Sequence, residues 1–199
     1  MKVIVVFESM YGNTRAIAEA VANGIKSAGP ADVTVMPVSA ADSAAMAQAD
    51  LIVVGGPTHA HGMSHGATRR AARDAVGKPG SNLRMDPAAS VDGPGLRDWL
   101  AHMDSTGALT AAFDTRLDAP QIFTGRAAPK IDRQLRRHGF VPIADPESFL
   151  VTKGTELCAG ETARAQDWGS RLSALAKRSG QEAQLSSAQL TAPEPFAPA

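Results

Sequence analysis

Near the start of the chain, Phe7-Glu8-Ser9-Met10-Tyr11-Gly12-Asn13-Thr14-Arg15 brings small, hydroxyl and amide side chains together directly after the aliphatic run Val3 to Val6. A strand that ends in such a loop and opens a helix leaves the first helical amides without intrahelical partners. The helix macrodipole adds partial positive charge at the same end. That combination holds anions, phosphate above all, so the chemistry it points to is capture of the phosphate of a nucleotide-like cofactor. Two other stretches carry chemistry-bearing side chains. Pro57-Thr58-His59-Ala60-His61-Gly62-Met63 follows a third aliphatic run, and Asp114-Thr115-Arg116 follows a fourth. His59 and His61 alternate along an extended segment and could share a metal ion, with His65 nearby. No carboxylate or cysteine lies close in sequence, and partly exposed loop histidines are the competing reading. We expect no metal site. Neither a Gly-x-Ser-x-Gly elbow nor a Walker loop occurs, so hydrolase and NTPase chemistry lack their signatures.

The elements that must position these stretches alternate. Val3 to Phe7 reads as a strand buried on both faces. Ile17, Val21 and Ile25, flanked by Ala18 and Ala22, form a helix stripe, with Asn13 or Thr14 as cap and Gly29-Pro30 as stop. Val33 to Val38 is a second strand, with Pro37 favouring an edge. Residues 39–49 read as a weak helix or loop. Leu51 to Val54 is a third strand that Gly55-Gly56-Pro57 should break. A helix over about Gly66 to Ala75 and a long Gly/Pro-rich loop over Gly77 to Gly95 follow. Leu96, Trp99, Leu100 and Met103 have helical spacing. Ala108 to Phe113 is the fourth strand, and Ala128 to His138 is a helix with Ile131 and Leu135 inward. Its Arg133, Arg136 and Arg137 suit a solvated face better than an anion site. Ser148 to Val151 is the fifth strand, and Glu161 to Arg178 the last helix, burying Ala165, Trp168, Leu172 and Leu175. Such alternation predicts an α/β fold with a parallel sheet, whose ligands bind at the carboxyl ends of the strands. Residues 1–178 form one domain, and 179–199 read as a disordered tail.

Composition narrows the function. The chain has 199 residues, 44% of them hydrophobic, with 20 basic and 20 acidic side chains. A net charge of zero argues against a general nucleic-acid binder. The only cysteine, Cys158, allows no intrachain disulfide and reads as a packed or surface residue rather than a redox thiol. No apolar run is long enough for a membrane span, and no signal-peptide pattern opens the chain. A cytoplasmic protein is the expectation.

Ser9-Met10-Tyr11-Gly12-Asn13-Thr14 between strand and helix resembles the phosphate loop of the flavodoxin-like superfamily. Ser-Met-Tyr-Gly is similar to the variant in NAD(P)H:quinone reductases of the tryptophan-repressor-binding type, and Pro57-Thr58-His59-Ala60-His61-Gly62-Met63 is similar to their second loop, with one residue extra. Short flavodoxin-domain proteins of actinobacterial type look closer still, through the Glu-Ser-Met-x-Gly-Asn-Thr, Gly-Gly-Pro-Thr-His-Ala and Phe-Asp-Thr-Arg blocks. The resemblance, over about residues 1–177, implies a flavodoxin-like three-layer sandwich: a five-stranded parallel sheet of order 2-1-3-4-5 with FMN at the carboxyl ends of its strands. The phosphate would take the amides of Met10 to Thr14 and the hydroxyls of Ser9 and Thr14. Tyr11 would add its phenol or pack outward. Pro57, Thr58, His59, Ala60, His61 and Gly62 would form one wall of the flavin site, and Asp114, Thr115 and Arg116 the other. Arg116 would favour an anionic reduced flavin or make a surface salt bridge. The aromatic residues that commonly stack on the ring in flavodoxins are missing from these loops.

Three functions remain open: an FMN oxidoreductase carrying electrons from a nicotinamide to a quinone-like acceptor, a one-electron carrier docking to a redox partner protein, or a flavin-free binding module. In the first, His59 or His61 would supply a proton. The second usually relies on a strongly acidic surface, which this neutral chain lacks. A homo-oligomer is compatible with all three.

Overall fold

The computed structural model describes residues 1–104 and 106–190, without the side chains of 183 and 186–190. The strands are β1 (Lys2–Phe7), β2 (Asp32–Pro37), β3 (Leu51–His59), β4 (Gly62–Met63), β5 (Leu109–Leu117), β6 (Val141–Pro142) and β7 (Glu147–Val151). The helices are α1 (Asn13–Ser27), α2 (Ser43–Met46), α3 (Gly66–Val76), α4 (Leu96–Ala101), α5 (Gln121–Thr124), α6 (Ala128–Arg137) and α7 (Glu161–Leu190). The parallel sheet runs β2-β1-β3-β5, and the far edge of β5 is shared. β6 pairs with Leu109 and Thr110, and β7 with Phe113 to Leu117. The fold is therefore the expected flavodoxin-like α/β sandwich in the order 2-1-3-4-5, with its fifth position divided between two strand pieces. β4 is a short antiparallel addition to the end of β3.

Strict alternation along the buried strands supplies two cores. Val3, Val5, Phe7, Val53 and Phe113 face α1 and α7, meeting Ile17, Val21, Ile25, Trp168 and Leu172. Ile4, Val6, Ile52, Val54 and Ala112 face the other helices, meeting Leu96, Leu100, Ile131 and Leu135. Each fully buried large apolar side chain contributes about 1.5–3 kcal/mol. Phe113, Phe149 and Trp168 lock the first core edge-to-face, with ring centroids 6.0–6.1 Å apart. Phe113 is thus core and offers no ring to a ligand.

α1 and α7 touch backbone to backbone. A Cβ on Gly24 would run into the carbonyl of Gln166, and one on Gly169 into the carbonyl of Val21. Ser170 Oγ also donates to the Gly24 carbonyl at 3.0 Å.

Four local expectations are corrected. β3 does not break at Gly55-Gly56-Pro57 but continues to His59, because β5 continues beside it, with Gly56 opposite Asp114 and Pro57 opposite Thr115. β1 has already ended, its last pair being Phe7 with Gly55, so Pro57 lacks an N–H where no strand needs one. Asp114, Thr115 and Arg116 correspondingly lie within β5 rather than beyond it. The cap of α1 is Gly12, not Asn13 or Thr14. The last helix runs twelve residues past Arg178 to Leu190, so 179–190 is helix rather than tail; 191–199 lie outside the described residues. Among the described residues no helix is long and apolar enough to cross a membrane.

Candidate functional site

The loop after β1 turns on Gly12, whose φ of +93° lies in the left-handed region that only glycine enters freely. The Gly12 amide donates to Ser9 Oγ at 3.0 Å, and its carbonyl accepts from Ala16 at 2.9 Å. The amides of Asn13, Thr14 and Arg15 then open α1 with no carbonyl of their own helix to bind. The backbone is thus arranged as a donor cradle. The side chains around it are largely committed elsewhere. Ser9 Oγ shapes the turn, Thr14 Oγ1 shares a hydrogen bond with Thr115 Oγ1 at 2.7 Å, and Asn13 Nδ2 donates to the Thr155 carbonyl at 2.9 Å. The Tyr11 phenol donates to the Ala72 carbonyl on α3 at 3.0 Å, so its hydroxyl has a partner within the fold.

Beside the cradle lies a cleft of about 220 Å³ at the carboxyl ends of β1, β3, β5 and β7. Met10, Tyr11, Asn13 and Thr14 line it from the loop, Pro57, Thr58 and His59 from β3, and Thr115 and Arg116 from β5. Sequence reasoning missed a fourth side: Leu117, Val151 and the turn Thr152 to Thr155, including Lys153. The signal was available, since Lys153-Gly154-Thr155 follows the fifth strand and must sit at the same sheet edge. Hollows of about 500 Å³ against α2 and α4 and about 600 Å³ near Met1 and Gln184 are larger. Neither is lined by the loop after β1 or by the start of α1.

Several expected wall residues stand outside the cleft. Asp114 is fully buried and turns to the opposite face, where its Oδ2 accepts from the Ala128 amide at 2.7 Å at the start of α6. Burial pushes its carboxyl up from the ordinary value, against the opposing pull of that amide and of Arg126. Asp114 therefore anchors α6 and does not line the cleft. Ala60 and His61 form the tip of a hairpin joining β3 to β4, with φ of +45° and +68°. Lys130 Nζ donates to the His61 carbonyl at 2.9 Å, and Gly125 packs directly on the His61 backbone. Gly62 pairs with His59. These residues buttress the wall from behind.

Arg116, His59 and Lys153 are the basic side chains at the cleft. Arg116 Nη1 donates to the carbonyls of Leu117 at 3.2 Å and Ala119 at 2.9 Å, while its buried Nε has no partner. No described carboxylate pairs with it, so the surface salt bridge considered for it is not formed. His59 is half-buried. Burial lowers its pKa from the ordinary value, opposed by Glu8 and reinforced by His65 and Arg69, so the ring is neutral at pH 7. Glu8 itself is buried at the end of β1, accepting from Ser64 Oγ and, at 2.6 Å, from the Leu96 amide. Among the described residues no three His, Cys, Asp or Glu side chains come together as metal ligands. Cys158 stands apart from the cleft; partial burial, with Asp118 and Glu161 nearby, pushes its thiol up and away from thiolate chemistry.

The flavodoxin family model matches residues 5–83, which span β1 through the loop after α3. The fold is similar to a flavodoxin from the domain Archaea, at 22% identity and a TM-score of 0.59 over 89% of this chain and 99% of that one. Flavodoxin 1 from Bacillus cereus gives 18% identity and 0.59 over 89% and 98%. A flavodoxin, WrbA-like protein from Agrobacterium tumefaciens gives 20% identity and 0.56 over 89% and 98%. No curated protein matches the sequence.

Proposed function

We propose that the cleft holds FMN and that the protein passes electrons from a reduced nicotinamide to a quinone-like acceptor. The observation that carries this reading is the meeting of α1's free amides with the ends of β3 and β5 around one cleft. FMN is the cofactor of flavodoxins, and the residues present fit it. The amides of Asn13 to Arg15 have no acceptor within their own helix, Arg116 lines the cleft, and no carboxylate is among the side chains lining it.

When bound, FMN supplies the redox chemistry, accepting and releasing electrons; the chain supplies binding, orientation and field. Asn13, Thr14 and Arg15 would hold the phosphate through backbone N–H groups. A hydrogen bond to a charged group is worth roughly 1.5–3 kcal/mol, and the helix end adds on the order of 1 kcal/mol. Because Ser9 and Thr14 hydroxyls already have partners, the backbone outweighs the side chains. Met10, Pro57, Leu117 and Val151 provide apolar wall. Arg116 places an uncompensated positive charge at the cleft, favouring an anionic occupant. His59, neutral at pH 7, offers a ring N–H to a substrate oxygen without adding charge.

The neutral overall charge supports a small-molecule acceptor over an electron carrier that docks by an acidic surface. The visible spectrum of the purified protein, before and after adding FMN, tests the binding step: a protein that neither carries flavin nor quenches added FMN refutes it. Stopped-flow mixing of the FMN-loaded protein with NADH and with NADPH, with a quinone present, tests the rest. Reduction by neither would leave the one-electron carrier as the better reading.

A further inference from the structure

The segment between α3 and α4 folds back over the start of α1. The Asp86 amide donates to the Met10 carbonyl at 2.8 Å, and the Ala89 amide donates to the Asp86 carbonyl at 2.9 Å. The Asp86 side chain is fully buried. Its Oδ1 accepts from the Ala88 amide at 2.9 Å and lies 3.4 Å from Arg15 Nη1. Its Oδ2 has no hydrogen-bond partner. That oxygen lies against the turn of the cradle, 3.9 Å from where a Cβ on Gly12 would stand.

Two features here are unfavourable alone. A buried carboxylate oxygen without a partner loses its hydration uncompensated. An arginine in the first turn of a helix stands at the wrong end of the macrodipole, and α1 has no acidic residue there to balance it. Together they explain each other. The positive start of α1 and Arg15 hold Asp86, and Asp86 neutralises them.

We propose that Asp86 is a resident anion of the cradle, competing with the phosphate of an incoming cofactor and so setting the preference between phosphorylated and unphosphorylated flavin. The proposal rests on the flavin reading above for its ligand. A phosphate dianion needs the same helix end and the same guanidinium. To seat it, Asp86 withdraws, the Asp86–Met10 backbone bond opens, and Arg15 passes from carboxylate to phosphate. Riboflavin, which has no phosphate, meets no such competitor.

The test compares FMN and riboflavin binding to the full chain by flavin fluorescence quenching, for the wild type, Asp86→Asn and Asp86→Ala. Asn retains the Oδ1 acceptor for Ala88 and removes the charge. FMN affinity should rise about tenfold or more in both variants, as loss of a nearby like charge requires, with riboflavin affinity unchanged. FMN affinity that stays level or falls, or that moves together with riboflavin, overturns the proposal. A second measurement needs no flavin. Titrating inorganic phosphate into the wild type should speed hydrogen exchange of the Asp86 amide, and phosphate should bind the Asp86→Asn variant more tightly. If neither flavin binds any variant, the flavin reading fails and the phosphate measurement alone decides the role of Asp86. Unchanged exchange together with equal phosphate affinities overturns it.

Discussion

The loop after β1 and the hairpin after β3 end at the same edge of the sheet, yet they reach their shapes by opposite means. Both put residues in the left-handed region. The first does so with Gly12 at φ +93°, where no side chain resists. The second does so with Ala60 at +45° and His61 at +68°, each against a penalty of about 1–2 kcal/mol. The cradle is therefore native to its own sequence, whereas the hairpin is imposed by its neighbours. Thr58 Oγ1 accepts from the Ala127 amide at 2.9 Å, Lys130 reaches the His61 carbonyl, and Gly125 presses on the His61 backbone. A segment held in strain by tertiary contacts is a natural place for local opening. The anion end of the site is intrinsically set, and the wall end is conditionally set.

The contrast can be broken most severely at Gly125. Gly125→Ala places a methyl group inside the His61 backbone at a φ of +69°, so it should cost about 3 kcal/mol in thermal or chemical unfolding. An unchanged midpoint would mean that the hairpin is not pinned from that side. Next comes Gly12→Val. The space is open there, the nearest atom being Asp86 Oδ2 at 3.9 Å, but the φ is hostile to a β-branched residue. The loop must rebuild, and FMN affinity should fall by about 2–3 kcal/mol, the worth of one charged hydrogen bond, with most of the fold's stability retained. Equal FMN affinity in titrations of the two proteins would refute the cradle assignment.

Relief of the hairpin's strain gives a smaller change of opposite sign. Ala60→Gly should stabilise by about 0.5–1 kcal/mol, strain removed less the backbone entropy glycine adds. A loss of stability would show that the left-handed tip carries no strain. The smallest effect is in pH. Because burial depresses the His59 pKa, the unfolded chain binds its proton more readily than the folded one. The contribution of His59 is present above its unfolded pKa of about 6.5 and is lost as pH falls below it, toward the folded value. Unfolding midpoints should decline on acidification through that window, and His59→Gln should flatten the slope.

The strands were legible because parallel strands buried on both faces are continuous aliphatic runs, and Val3 to Phe7 and Leu51 to Val54 are such runs. The helix of Ile17, Val21 and Ile25 announced itself by spacing. What misled was local chemistry read without its neighbours. Gly55-Gly56-Pro57 carries every mark of a strand breaker, and only the continued pairing with β5 and the earlier end of β1 make it strand. Asp114 looked like a loop residue because β5 was ended too soon. With the strand extended, simple alternation turns it away from Phe113's face and toward α6, where it caps an amide. Residues 179–190 lack an apolar stripe, so periodicity was silent about the end of α7. Asp86 and Glu8 were invisible for another reason. Each acts through a contact between segments far apart in sequence, Asp86 with Met10 and Arg15 and Glu8 with Leu96, and no spacing rule reaches that far.

The backbone contact between α1 and α7 has a consequence for ligand capture. A helix seated on side chains can rock or roll by an ångström as those side chains change rotamer. α1 is seated at Gly24 against the Gln166 carbonyl, and Gly169 of α7 sits against its Val21 carbonyl. Two rods meshed at bare backbone are indexed like a key in its slot: neither can rotate about its own axis or slide along it. The direction in which the Asn13 to Arg15 amides point is a matter of that rotation. Alignment of the cradle is thus held in the C-terminal half of α1, about two to three turns from the loop itself.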